Sequence, residues 1–93
     1  MANGHQLYMA VKRGECISQW KKKEMAWFTE YYMAINKELA HVVETSYKGL
    51  TYWQKVFLIL EDMGKSAEQI MEAMGITPDN LRKMRSVINT KKV

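Results

Sequence analysis

Ninety-three residues, 47% of them hydrophobic and 11% aromatic with a single proline, suit one small folded domain and speak against disorder or a second domain. The net charge of +4 permits an acidic partner such as nucleic acid without requiring one. Cys16 stands alone, which excludes an internal disulfide and a thiolate cluster and fits a reducing cytoplasm; no apolar run approaches the roughly 20 residues that span a bilayer and the start lacks a signal-peptide core, so the expectation is a cytoplasmic chain without membrane insertion.

Asn3 is placed to cap a first helix over Gly4 to Arg13, in which Leu7, Tyr8 and Val11 share a face and Gly14 supplies the stop. A second helix is expected from Ser18, with Trp20, Trp27, Phe28 and Tyr31 near helical spacing and Lys21, Lys22, Lys23 and Glu24 on the wet side. That lysine run reads as a solvated helix face rather than a nucleic-acid site. Between Met33 and Asn36 the stripe changes phase, and Ile35, Leu39, Val42 and Val43 form a new one ending near Tyr47. One bent helix or two helices would satisfy the shift. Asn36, which competes locally for backbone hydrogen bonds, favours two.

Gly49 closes that segment, and Thr51 with Gln54 has the capping-box spacing that opens a helix from Tyr52 to Met63. Trp53, Val56, Phe57 and Leu60 fall on one face of it, and Gly64 ends it. Ser66 with Gln69 repeats the box and starts a short helix to Met74. Gly75 can take the left-handed conformation that ends it, and Thr77 then caps a last helix, 78–91, with Pro78 at its first position and Asp79 in the positive first turn. Ala67, Ile70 and Met74, then Leu81, Met84 and Ile88, give these two helices one inward stripe each. So short a gap between two capped helices is typical of a helix-turn-helix, whose second helix enters the major groove. The expected fold is therefore all-α, a short helical bundle in which supporting helices over residues 1–50 pack on a C-terminal trihelical helix-turn-helix unit over residues 51–93.

The outward face of the last helix holds Asn80, Arg82, Lys83, Ser86 and Asn89, residue types that reach guanine, adenine and phosphate. Charge placement agrees. From Glu61 to Asp79 five acids face Lys65 alone, whereas Asn80 to Val93 carries Arg82, Lys83, Arg85, Lys91 and Lys92 and no acid. Arg85 is expected to pair with Glu68 or Glu72 and so ranks below Arg82 and Lys83.

Catalytic chemistry finds little foothold. His5 and His41 lack paired metal-ligand spacing and read as surface or boundary residues. Cys16 has no histidine at a motif spacing and reads as a buried or idle thiol. Gly49, Gly64 and Gly75 each stand alone as helix stops, so no phosphate loop forms. Neither enzyme activity, nor a metal, nor a cofactor is expected. Met63, Met71, Met74 and Met84 fall at or beside core positions, where a thioether fills gaps.

The stretch SAEQIMEAMGITPDNLRKMRSVINTK resembles the effector helix-turn-helix of LuxR/NarL-type response regulators, which is similar to region 4 of sigma-70 factors. The places that carry the resemblance are Ser66, Ile70-Met71, Met74, Ile76-Thr77, Leu81, Ile88 and Lys91. Upstream, LTYWQKVFLILEDMGKS and CISQWKKKEMAWFTEYY resemble more loosely the C-terminal segments of Bacteroidetes-type membrane-anchored regulators. Met71 stands where the family has a small alanine, and Tyr32-Met33 where it has a Tyr-Pro break. The resemblance implies bacterial transcriptional regulation: backbone amides at the Ser66 and Thr77 caps would bind phosphate, Asn80, Lys83 and Ser86 would face the groove, and Arg82 and Asn89 would lie at its edge. It also implies a homodimer on paired half-sites of double-stranded DNA. The alternative from a different class is a protein-interaction module that docks on RNA polymerase or a sensor protein through its aromatic first half.

Overall fold

A computed structural model describes residues 4–93 as six helices: α1 (Gly4–Lys12), α2 (Lys22–Ile35), α3 (Lys37–Ser46), α4 (Tyr52–Asp62), α5 (Ala67–Met74) and α6 (Pro78–Thr90). The protein is an all-α bundle, and the cap expected at Asn3 lies outside the described residues. The core gathers Phe28 and Tyr32 from α2, Val56, Phe57, Ile59 and Leu60 from α4, Ile70 and Met74 from α5 and Leu81 and Ile88 from α6. Full burial of each such side chain stabilises by about 1.5–3 kcal/mol. α2 is the central beam: it packs broadly against α1 on one side and α4 on the other. Gly4 lets α1 approach closely, since a Cβ there would meet the Trp27 carbonyl oxygen at 2.7 Å and clash with Tyr31 Cβ.

Three start signals act as their residue types dictate. Gln54 N–H donates to Thr51 Oγ1 at 3.1 Å while Thr51 N–H donates to Gln54 Oε1 at 3.0 Å. Ser66 and Gln69 make the same reciprocal pair at 3.1 and 2.9 Å. Thr77 Oγ1 accepts from Asn80 N–H at 3.2 Å. Each box satisfies amides that the first helical turn would leave orphaned.

α2 begins at Lys22 rather than Ser18. Ile17 is the reason. It is fully buried, its N–H donates to Ala73 O at 2.7 Å, and its carbonyl takes Trp20 N–H in a separate turn. Burying Ile17 straps the α1–α2 connection across the end of α5, and the helix starts only beyond it, where Glu24 Oε1 accepts from Lys21 N–H at 2.7 Å. Lys21, Lys22 and Lys23 are exposed.

The phase shift after Met33 does divide the chain into two helices. Asn36 leaves helical geometry at φ −124°, ψ 79°, between α2 and α3. The expected stripe of four does not survive intact, however. Val43 is buried and Leu39 half-buried, but Ile35 and Val42 are exposed. The break at Asn36 separates Ile35 on α2 from the rest of the stripe, and within α3 only the flank carrying Leu39 and Val43 is covered, which leaves Val42 outside it.

Two polar devices close the bundle. Tyr32 Oη donates to Asp62 Oδ2 at 2.7 Å, tying α2 to the end of α4. At the other end Lys91 Nζ donates to Gly49 O and Gln54 Oε1, both at 2.8 Å, while Val93 N–H reaches Ser46 O at 3.0 Å and Tyr47 pairs with Lys92 in an isolated bridge. The end of α6 is thereby fastened to the segment joining α3 and α4.

Candidate nucleic-acid interface

The candidate site is α5, the turn at Gly75 and α6. Gly75 sits at φ +68°, ψ +38°, the left-handed region in which a side chain costs about 1–2 kcal/mol. Ile76 N–H then returns to Met71 O at 3.1 Å, and Thr77 with Pro78 restarts the helix. Met71, bulkier than the alanine of the resembling family, is accommodated half-buried against the core.

Leu81 and Ile88 are buried and Met84 is half-buried, so the inward stripe of α6 forms as its spacing implies. Arg82, Lys83 and Ser86 lie away from it, and Asn80 and Asn89 stand on its two flanks, lining separate grooves against α4; all five are exposed. Five of the seven candidate residues thus share one accessible helix. The other two, Ser66 and Thr77, are exposed as well, but their hydroxyls are consumed by the caps. The Ser66 amide is taken by Gln69. What the α5 start still offers an anion is the amides of Ala67 and Glu68, and the α6 start offers less, because Pro78 has no N–H.

The cations of α6 differ in availability. Arg82 forms an ion pair with Asp79, both side chains more than two-thirds exposed. Arg85 pairs with Glu61 at 3.3 Å and lies over the Phe57 ring at 5.8 Å. Neither Glu68 nor Glu72 is its partner, because α6 crosses α4 and turns that flank toward the end of α4 rather than toward α5. Lys91 is spent on Gly49 and Gln54, and Lys92 sits over the Tyr47 ring at 6.0 Å. Among the described residues Lys83 makes no ion pair.

Lys83 stands instead at the edge of a cleft of about 330 Å³ between the start of α4 and α6, floored by Trp53, Ile76, Met84 and Val87. Trp53 shares the spacing of Val56, Phe57 and Leu60, which the sequence reads as one core face, yet it is only half-buried. No signal along the chain distinguishes it from its neighbours. The crossing of α6 decides how far its ring is covered.

The aromatic first half is largely folded onto itself. Trp20 meets Phe28 edge-on at 5.2 Å, Tyr31 lies 5.7 Å from Tyr8, and Lys23 covers Trp27 at 5.8 Å. Trp20, Trp27 and Tyr31 are all half-buried.

The remaining reactive groups are scattered. Cys16 is exposed rather than buried, because burial of Ile17 turns its neighbour outward. A hydrogen bond with Ser18 Oγ at 3.2 Å, helped by the Ser18 backbone, holds the thiol below its ordinary pKa. His5 Nδ1 is hydrogen-bonded to Tyr31 Oη at 2.9 Å, and His41 is exposed. Among the described residues no group of three His, Cys, Asp or Glu side chains is placed to hold a metal ion. No helix there is long and apolar enough to cross a membrane.

Comparison with known protein families, with curated proteins and with solved structures finds no match to this chain.

Proposed function

We propose that this chain is a DNA-binding domain of the helix-turn-helix kind, akin to the LuxR/NarL effector domains it resembles. It acts in the bacterial cytoplasm as a transcriptional regulator or as the output module of a longer one. It has no catalytic role and no cofactor. α6 enters the major groove of double-stranded DNA, with Asn80, Lys83 and Ser86 toward the bases and Arg82 and Asn89 toward the groove edge. One helix reads only a few base pairs, so a homodimer on paired half-sites completes recognition.

The observation that carries this reading is the two-sidedness of α6: Leu81 and Ile88 buried, with Arg82, Lys83 and Ser86 exposed on the other side and Asn80 and Asn89 exposed on its flanks. The ion pairs of Arg82 and Arg85 do not remove those cations from use. Both pairs are surface pairs, worth about 0–1 kcal/mol, and a phosphate can replace the carboxylate. The half-burial of Trp20, Trp27 and Tyr31 lends less support to docking on polymerase or a sensor through the aromatic half.

The test is duplex binding followed by fluorescence anisotropy between about 50 and 200 mM salt. Affinity should fall steeply with salt, and Arg82→Ala with Lys83→Ala together should weaken binding and flatten the log–log slope by about 0.9, for the phosphate that Arg82 no longer neutralises at the groove edge. Binding that ignores salt, or that the double variant leaves intact, would sink the proposal.

A further inference from the structure

The cleft beside α6 has a chemistry that a phosphate backbone does not use. Its floor is apolar, formed by Trp53, Ile76, Met84 and Val87, and Val87 is 43% exposed although it lines a concave surface. Among the described residues of the lining Lys83 is the one ionised side chain and none is a carboxylate. Gln54, on the α4 side, is neutral, and its Oε1 accepts from Thr51 N–H and from Lys91 Nζ. The volume of about 330 Å³ is at the lower end of what small-molecule sites offer and suits one or two side chains of an entering peptide.

We propose that this cleft docks an acidic amphipathic segment of a partner protein, with its apolar side chains on the Trp53–Val87 floor and a carboxylate on Lys83. Charge complementarity selects the occupant. A neutral apolar peptide would leave Lys83 facing an uncharged surface, and a basic one would be repelled by it. A DNA duplex would satisfy the lysine but place sugar and phosphate against four apolar side chains, gaining nothing from them. The inference does not rest on the DNA-binding proposal. The two share Asn80 and Lys83, so where both hold, peptide and duplex compete and the acidic partner releases the DNA.

The test uses nitrogen-15-labelled full chain and a synthetic amphipathic helix of about 15 residues, leucine along one face and glutamate elsewhere. The indole N–H signals of Trp20, Trp27 and Trp53 are followed separately. The expected result is a saturable shift of Trp53 alone. Affinity should drop about ten-fold in Lys83→Glu and in Val87→Glu, two substitutions at exposed positions whose folding is checked by circular dichroism. Lys83→Glu should also come to prefer the peptide in which lysine replaces glutamate. A Trp53 signal unmoved at millimolar peptide would overturn the proposal, as would a shift centred on Trp20 or Trp27, or equal affinity of the unsubstituted chain for the lysine peptide. A duplex that moves Trp53 where the peptide does not assigns the cleft to nucleic acid and also overturns it. Peptide binding without any duplex binding would uphold the cleft and refute the DNA reading instead.

Discussion

Asp79 provides the sharpest test of which way α6 faces, because its replacement should move stability and DNA affinity in opposite directions. It lies in the first turn of α6, exposed and paired with Arg82. There it favours the helix through the N-terminal dipole, by about 0.3–1 kcal/mol, and the exposed pair adds at most about 1 kcal/mol. Asp79→Asn should therefore destabilise the fold by roughly 0.5–1 kcal/mol, read from the urea midpoint. If α6 lies in the groove, however, Asp79 is the one negative charge on the interacting helix and engages Arg82 as well. Two unit charges at about 4 Å interact by about 1 kcal/mol in bulk water. Removing the repulsion at that scale tightens duplex binding about five-fold at low salt, and an Arg82 freed for phosphate steepens the log–log salt slope by up to about 0.9. Anisotropy titrations over a salt series measure both quantities. A folded Asp79→Asn protein with unchanged or weaker binding and an unchanged slope would refute the placement of this face against DNA.

The remaining predictions concern the scaffold that holds α6. Tyr32→Phe removes a hydrogen bond to a carboxylate and should cost about 1.5 kcal/mol at neutral pH, by thermal or urea unfolding. Burial, then the Asp62 carboxylate, raise the Tyr32 pKa well above its ordinary value near 10. The unfolded chain thus ionises first, and stability falls from about pH 10 upward by at most about 1.4 kcal/mol per pH unit for this group. The phenylalanine variant should lack that component, and a difference between the two proteins that stays constant through alkaline pH would count against it. Thr29 is 4% exposed and its Oγ1 has no hydrogen-bond partner among the described residues, so Thr29→Val should stabilise by about 1 kcal/mol; destabilisation by a similar amount would mean that the hydroxyl is satisfied in solution. Gly4→Ala places a methyl group against Tyr31 and the Trp27 carbonyl and should cost about 1–3 kcal/mol, with α1 displaced from α2; an unchanged melting temperature would contradict the close approach.

Helix starts and stops were the most legible part of this chain. Ser66 with Gln69, Thr51 with Gln54, and Thr77 with Pro78 are each complete within four residues, and each cap forms where those residues stand. The exposed row of α6 was equally legible, since Leu81, Met84 and Ile88 define the buried side and the helical period places the rest. Ser18 has the residue type of a cap but does not start α2, because the burial of Ile17 against Ala73 delays the helix to Lys22. Ile35 falls outside the stripe because a hydrophobic stripe records helical phase only while the helix is unbroken, and Val42 because α3 is covered along the flank of Leu39 and Val43 alone. Arg85 pairs with Glu61 rather than with Glu68 or Glu72, a carboxylate 24 residues away that reaches it only through the packing of α6 beside α4.

Local chemistry, read along the chain, therefore determines an all-α protein, where its later helices begin and end, and which side of α6 can be wetted, because caps, glycine stops and a 3.6-residue period act over a turn or two. Tertiary packing alone decided what those helices meet: the Ile17 strap on α5, the tether of Lys91 to Gly49 and Gln54, the pairing of Arg85 with Glu61, and the cleft that leaves Trp53 beside Lys83. Each joins residues far apart in sequence, and such a contact exists only once the crossing of two elements is set, which no local pattern encodes.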